Sequence, residues 1–314
     1  MNLPAGIRLW SKAIAAALVL GLPTAKAEEF ESVSSKVSSD YVRVKLPDGS
    51  FKPETYTFGK GGYWISPLAD KSIDDMDFMD VARTIAVPLA NQGYVPSKDP
   101  KEIKLLIMVY WGTTHAPEKA SDSMAYQDAS RTHDDLDMAL FRMKAAKEEG
   151  NGGNQSKYVT TDQETVDILE SQMVMNLTTI KNENDKRYLE DERIAMLLGY
   201  ESWWNTTMSA PDASVLGKRR LDMLDELEHY RYFVVLMAYD FQTMWKQKKH
   251  KLLWETRFSI REQNNQFDRQ LASMALEASS YFGRNSDGLV HRPLPGGRVG
   301  IKEPTLIELL ESKK

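Results

Sequence analysis

Ile103 to Trp111 reads Ile-Lys-Leu-Leu-Ile-Met-Val-Tyr-Trp, a nearly continuous apolar run, and Tyr232 to Tyr239 is a second. Runs of this kind predict strands covered on both faces. Leu252, Trp254, Thr256, Phe258 and Ile260 alternate with Leu253, Glu255, Arg257 and Ser259. That alternation predicts a half-exposed strand, and the short connection Trp245–Lys251 makes it the hairpin partner of the preceding run, with a solvated tip. Further upstream, Tyr41, Arg43 and Lys45 alternate with Val42, Val44 and Leu46 before the turn Pro47-Asp48-Gly49. Thr55 to Phe58 reads as another extended piece, Lys60-Gly61-Gly62-Tyr63-Trp64 as a loop, and the Ser-rich residues 28–40 as a mobile lead-in.

Two segments carry a helical period. Phe78, Ala82, Ile85 and Leu89 predict a helix over 74–92, capped by Ser72, loaded with Asp74, Asp75 and Asp77 at its positive end, and stopped by Gly93. Pro88 removes one amide donor and should kink its last turn. Phe267, Leu271, Met274, Ala278 and Tyr281 predict a second helix over 265–282, ended by Gly283. Between the two strongest strands, residues 116–228 hold no convincing strand. Thr161-x-x-Glu164 forms a capping box ahead of Val166, Leu169, Met173, Leu177 and Ile180. Leu136, Leu140 and Met143 mark a shorter helix, Leu221, Leu224 and Leu227 one that follows Pro211, and Gly150–Ser156 a polar link.

The pattern therefore predicts an α+β fold: four to six mostly antiparallel strands with two packed helices, interrupted by a helical insertion too long for an ordinary connection. Residues 28–115 and 229–283 are the halves of the core, and 116–228 the insertion. Residues 284–314 form a linker with Pro293, Pro295, Gly296 and Gly297, then an amphipathic stretch from Pro304 to Leu310. The insertion's ends near Thr114 and His229 leave neighbouring strands, so it is expected to be removable and to carry the specificity.

The N-terminus changes the picture from fold to address. Arg8 and Lys12 precede a short apolar run, Ala13 to Leu22, which Pro23 breaks before Ala25-Lys26-Ala27. This is the layout of a cleavable secretory signal over residues 1–27, too short for a membrane-spanning helix of about 20 residues. A periplasmic or extracellular protein beginning at Glu28 is expected. Cleavage removes three of the 40 basic residues and none of the 45 acidic ones, taking the formal charge from −5 to −8. That argues against general nucleic-acid binding, which needs a basic face. With no cysteine, disulfides, thiolate catalysis, zinc-thiolate sites and lipidation at the cleavage site are all excluded.

The core segments resemble a known family. Phe78 to Leu106 gives a helix, then Gly93-Tyr94, then a hydrophobic strand. Lys251-Leu252-Leu253-Trp254-Glu255 opens the last strand, before a helix rich in small residues. Together these are similar to a family of exported, often lipidated bacterial proteins known as a domain of unknown function. The resemblance implies a small α+β fold in the cell envelope and no catalytic residues. The lipidated cysteine of many members is absent here, and the insertion is not part of their usual pattern.

Candidate chemistry is sparse. His133 and Asp137 share a helical face beside Asp134, which offers carboxylates and one imidazole for a hydrolase but too few ligands for a metal. Tyr200, Trp203 and Trp204 suit either a binding groove or the core of the insertion. Trp245 with Lys246, Lys248 and Lys249 suits contact with an anionic membrane or glycan, or a solvated turn that discourages edge pairing. No cofactor motif is present. The reading favoured by this balance is a non-enzymatic binding or assembly module acting on a protein or an envelope polymer, with an envelope hydrolase or a self-associating structural protein as alternatives.

Overall fold

The computed structural model describes residues 30–65, 68–117, 119–148 and 155–294, with backbone alone at 121, 147–148 and 155–162. The signal segment, most of the Gly150–Ser156 link, Pro295-Gly296-Gly297 and the Pro304–Leu310 stretch lie outside the described residues.

The strands are β1 (Phe30–Val37), β2 (Glu54–Trp64), β3 (Tyr94–Pro96), β4 (Leu105–Thr113), β5 (Arg231–Asp240), β6 (Leu252–Arg261) and β7 (Leu289–Pro293). They form one sheet in the order β3-β2-β4-β5-β6-β1-β7. β3, β2 and β4 run parallel, and every pairing from β4 to β7 is antiparallel. The fold is α+β as the pattern predicts, with a mixed sheet.

One face is covered by α1 (Lys71–Asp74), α2 (Phe78–Asn91) and α8 (Phe267–Ala278). Ile85 and Leu89 of α2 and Leu271 and Met274 of α8 meet Ile107, Val234, Trp254 and Phe258 of the sheet. The N-cap of α2 is Asp77, which exchanges hydrogen bonds with Asp80 in a capping box, and not Ser72. Ser72 instead accepts the Phe267 amide at 3.0 Å, where α8 begins. Pro88 stays inside α2 and is buried there.

The insertion supplies α3 (Met124–Glu148), α4 (Gln155–Leu198), α5 (Glu201–Thr207) and α6 (Val215–Leu227). It leaves β4 and returns to β5, which are neighbours: Thr113 pairs with Tyr232, and the Thr114 amide donates to the Arg231 carbonyl. Helix α4 begins at Gln155, so Thr161 is interior to it and not a cap. The C-terminal end of α4, with α5 and α6, packs on the other face of the sheet, where Ile194, Leu198, Tyr200, Trp204, Met223 and Leu227 surround Phe233 and Val235. The insertion therefore has two parts, a root that completes the core and an arm that does not touch it.

Several local expectations change. The Ser-rich lead-in is a strand, β1, because its serines are satisfied within the fold: Ser35 hydrogen-bonds with Thr256 at 2.7 Å and Ser32 donates to Glu226 at 3.0 Å. Tyr41–Leu46 is not a strand; its anchor is Arg43, whose guanidinium lies between the rings of Phe51 and Tyr94 at 4.2 and 4.1 Å. Lys60-Gly61-Gly62 is not a loop but a bulge within β2, where Lys60 pairs with Val109 and Gly62 with Tyr110. A Cβ on Gly61 would sit 2.6 Å from the Tyr110 ring, so any larger residue would have to displace that ring. The second face of β6 is covered rather than exposed, since Arg257 donates to the Met196 carbonyl at the end of α4 at 2.5 Å. The hairpin tip is a short helix, α7 (Phe241–Gln247), capped by Asp240 and closed by Lys248 at φ +58°. Pro293 ends β7 and is not linker.

Candidate functional site

His133, Asp134 and Asp137 lie on the solvent side of α3. His133 Nε2 is 3.8 Å from Asp137 Oδ2, and both side chains are about two-thirds exposed, at 65% and 67%. Water screens such a pair. No group of three or more His, Asp or Glu residues is arranged to hold a metal among the described residues. These residues converge on nothing.

Tyr200, Trp203 and Trp204 belong to the root. Gly199, at φ +85°, ends α4 where an added Cβ would meet Ser34 of β1 at 2.6 Å, and the chain turns directly into α5. Tyr200 and Trp204 are buried, and Trp204 lies against Tyr188 at 5.2 Å. Trp203 is half-buried between His291 at 5.6 Å and the Arg219 guanidinium at 5.1 Å. Tyr200 and Trp204 pack the insertion on the sheet, with Trp203 at the edge of the same cluster. Trp245, Lys246, Lys248 and Lys249 stand at the opposite pole on α7 and its exit, Trp245 beside Phe241 at 6.2 Å and the lysines exposed.

Two features escaped the sequence pattern. The first is a cleft of about 1020 Å³ at the pole where the insertion joins, lined by Asp70, His115, His229, Tyr230, Tyr232 and Glu262 among others. Burial acts to raise the Asp70 pKa, but hydrogen bonds from the Tyr232 hydroxyl and from Ser72 outweigh it and hold the group below the usual carboxylate range. Burial, and then the Asp70 charge, push Glu262 the other way. Two carboxylates driven apart in this manner can divide the roles of base and acid. No spacing announces them, because Asp70 caps a one-turn helix and Glu262 follows a strand.

The second feature is the arm. Helix α4 has 44 residues and is about 66 Å long. Its covered stripe is Val166, Leu169, Met173, Asn176, Ile180, Glu183, Arg187 and Glu190, at alternating spacings of three and four. The facing stripe of α3 is Ala125, Ala129, Thr132, Leu136, Ala139 and Met143 at the same spacings. This is a heptad seam. Asn176 donates to Thr132 at 3.1 Å across it, and Leu177, expected inside, points outward. On the far side of α4, Ile168, Val174, Met175 and Leu189 are each more than 60% exposed. An open dent of about 380 Å³ lies there, lined by Asp167, Ile168, Ser171, Gln172 and Met175.

No helix among the described residues is long and apolar enough to cross a membrane. The chain matches no protein-family model and no curated protein.

Proposed function

We propose that this is an exported cell-envelope protein that works by docking: the sheet is a platform, and the arm carries the surface that engages a partner. The observation that carries this reading is the outer face of α4, where Ile168, Val174, Met175 and Leu189 stand in solvent with the α3 seam already filled from the other side. A hairpin that needed only its own seam would gain nothing from further exposed apolar side chains, and the cluster Ile168, Val174 and Met175, with Leu189 two heptads beyond it, is exposed apolar surface of the kind that marks interaction sites. Export is supported by Arg8, the run Ala13–Leu22 and Ala25-Lys26-Ala27, and by the resemblance of the core to an exported family. The apolar chemistry of the face favours a protein over an envelope polymer as the partner. The basic α7 suits an accessory contact with an anionic surface.

The test compares the full protein with a variant carrying Ile168→Glu, Met175→Glu and Leu189→Glu. The variant should keep the parent's circular dichroism and unfolding midpoint and lose the species recovered by chemical cross-linking in the envelope. Recovery of the same species by a folded variant would overturn the reading.

A second reading rests on Asp70 and Glu262, whose opposite pKa shifts in one cleft support carboxylate chemistry. It departs from the hydrolase expected from His133, Asp134 and Asp137, whose side chains lie exposed on α3. Asp70→Asn and Glu262→Gln should each abolish any hydrolysis of envelope glycan or peptide that the parent shows. Equal turnover by both variants would remove it.

A further inference from the structure

The end of the sheet away from the insertion is basic, and two distant segments make it so. The Phe241 amide donates to the Lys104 carbonyl at 2.9 Å, and the Gln242 side-chain amide donates to the carbonyls of Pro100 and Ile103, each at 2.8 Å. These bonds fix the loop 97–104 against α7, so Lys101 and Lys104 join the lysines of the hairpin tip. Lys246 stands one turn beyond Gln242 on α7, and Lys248 and Lys249 follow at its exit. All five are exposed, and none forms an ion pair among the described residues. Segments 98–104 and 241–251 together hold seven lysines and two acids, in a chain of formal charge −5. Nearby carboxylates are engaged by backbone: Asp99 accepts the Lys101 amide at 2.9 Å and Asp240 the Thr243 amide at 2.8 Å. Trp245 is 43% exposed beside these lysines, its ring backed by Phe241.

We propose that this end of the protein rests on a bilayer of anionic phospholipid, with the lysines among the headgroup phosphates and the Trp245 ring at the interface. This names the partner of the accessory contact described above, and it is independent of the arm's docking face. The residue types favour lipid. A lysine ammonium is a point charge that follows mobile phosphates, whereas the planar fork of arginine, absent from both segments, suits an anion held in place. Tryptophan settles where apolar and wet regions meet. Residues 245–250 are exposed without a break, so the tip protrudes and supplies no wall to enclose a glycan. The orientation serves the arm. Strand β4 carries the chain about 30 Å from Leu105, at this end, to Thr113, where the insertion departs. Helix α4 passes Arg257 of β6 at Met196 and passes Ser123 at Glu183, so its remaining turns, with Ile168, Val174 and Met175, run on beyond the sheet. A bilayer at the basic end therefore leaves the arm directed away from it. The contact is with headgroups and brings no protein against Lys246.

The test is co-sedimentation of the full protein, recovered from producing cells, with vesicles of phosphatidylcholine alone or mixed equally with phosphatidylglycerol. The protein should bind the mixed vesicles, leave the neutral ones, and be released at about 1 M salt, where the Debye length is about 3 Å. Lys246→Gln, Lys248→Gln and Lys249→Gln combined should weaken binding about 100-fold, and Lys101→Gln with Lys104→Gln about 25-fold, at roughly fivefold per lysine. Trp245→Ala should weaken it with the salt dependence kept. The unfolding midpoint should stay at the parent's value in each, since these positions are exposed. The variant carrying Ile168→Glu, Met175→Glu and Leu189→Glu should bind vesicles as the parent does, so the docking reading can fail while this one stands. No binding to the mixed vesicles overturns the proposal, as does equal binding to the neutral ones or undiminished binding by the triple lysine variant. Retention on a soluble sulfated polysaccharide without vesicle binding would assign the surface to an acidic glycan and overturn it as well.

Discussion

The Glu226 carboxylate lies 2.7 Å from His291 Nε2, so the last helix of the insertion and the last strand of the sheet are tied by one hydrogen bond. The same carboxylate accepts from the Tyr200 hydroxyl at 2.5 Å and from Ser32 at 3.0 Å, and Arg231 stands 3.5 Å away. Burial acts to raise its pKa, but His291, Arg231 and Tyr200 outweigh it and hold the group at about 2. A carboxylate depressed from 4.5 to about 2 contributes stability that is present above its unfolded pKa and lost as the pH falls through the folded one. The loss should amount to about 3 kcal/mol between pH 5 and pH 2. Glu226→Gln should remove most of that slope and destabilise the protein at neutral pH, as measured by urea unfolding across the range. A slope unchanged in the variant would show that Glu226 is not the joint's main counter-charge.

Glu31 has the opposite sign. It is fully buried on the α8 side of β1, and neither carboxylate oxygen has a hydrogen-bond partner among the described residues. Burial, and then the nearby Glu277, raise its pKa well above the usual range, with Arg231 opposing. Its stability contribution is complete below the unfolded pKa and is lost as the pH rises through the raised folded one. Glu31→Gln should therefore be nearly neutral at pH 5 and stabilising at pH 9. Equal effects at the two values would rule this out.

Trp254 is fully buried, stacked on Phe282 at 6.0 Å and beside Tyr94 at 5.8 Å. Trp254→Ala should destabilise by about 3–5 kcal/mol. An unchanged denaturation midpoint would contradict its place in the core.

The insertion divides, and deletions should show where. Ser123 donates to Glu183 at 2.5 Å, so the start of α3 and the body of α4 come together there. Replacing residues 124–182 with four Gly/Ser residues, which reach about 13 Å, should leave a cooperatively folding protein. Replacing 118–226 should not, because it uncovers Phe233 and Val235 and takes Tyr200 and Glu226 from the joint. If both deletions unfold cooperatively, the root is dispensable after all.

The sheet was legible where side chains alternate or run apolar, as in β4, β5 and β6, and α8 was legible from its spacing. β1 was not, because Ser32 and Ser35 read as solvated until Thr256, Glu226 and Arg231 are seen to meet them. The bulge at Gly61 was hidden because its cause, the Tyr110 ring, lies on another strand. On α4 the period was visible but its phase slipped at Leu177, since a strict seven-residue seam takes the polar Asn176 instead. The aromatic cluster Tyr200, Trp203 and Trp204 was visible, while its role depended on what the root packs against. Asp70 and Glu262 are 192 positions apart, and only the fold brings them to one cleft.

The most direct measurement is site-specific photo-cross-linking of the full protein in the envelope of producing cells, with the reactive side chain placed in turn at positions 175, 134 and 246. Position 175, on the outer face of the arm, should give a discrete adduct, and positions 134 and 246 should give none. Silence at 175 with an adduct at 246 would move the docking surface to the basic helix at the other pole and contradict the account.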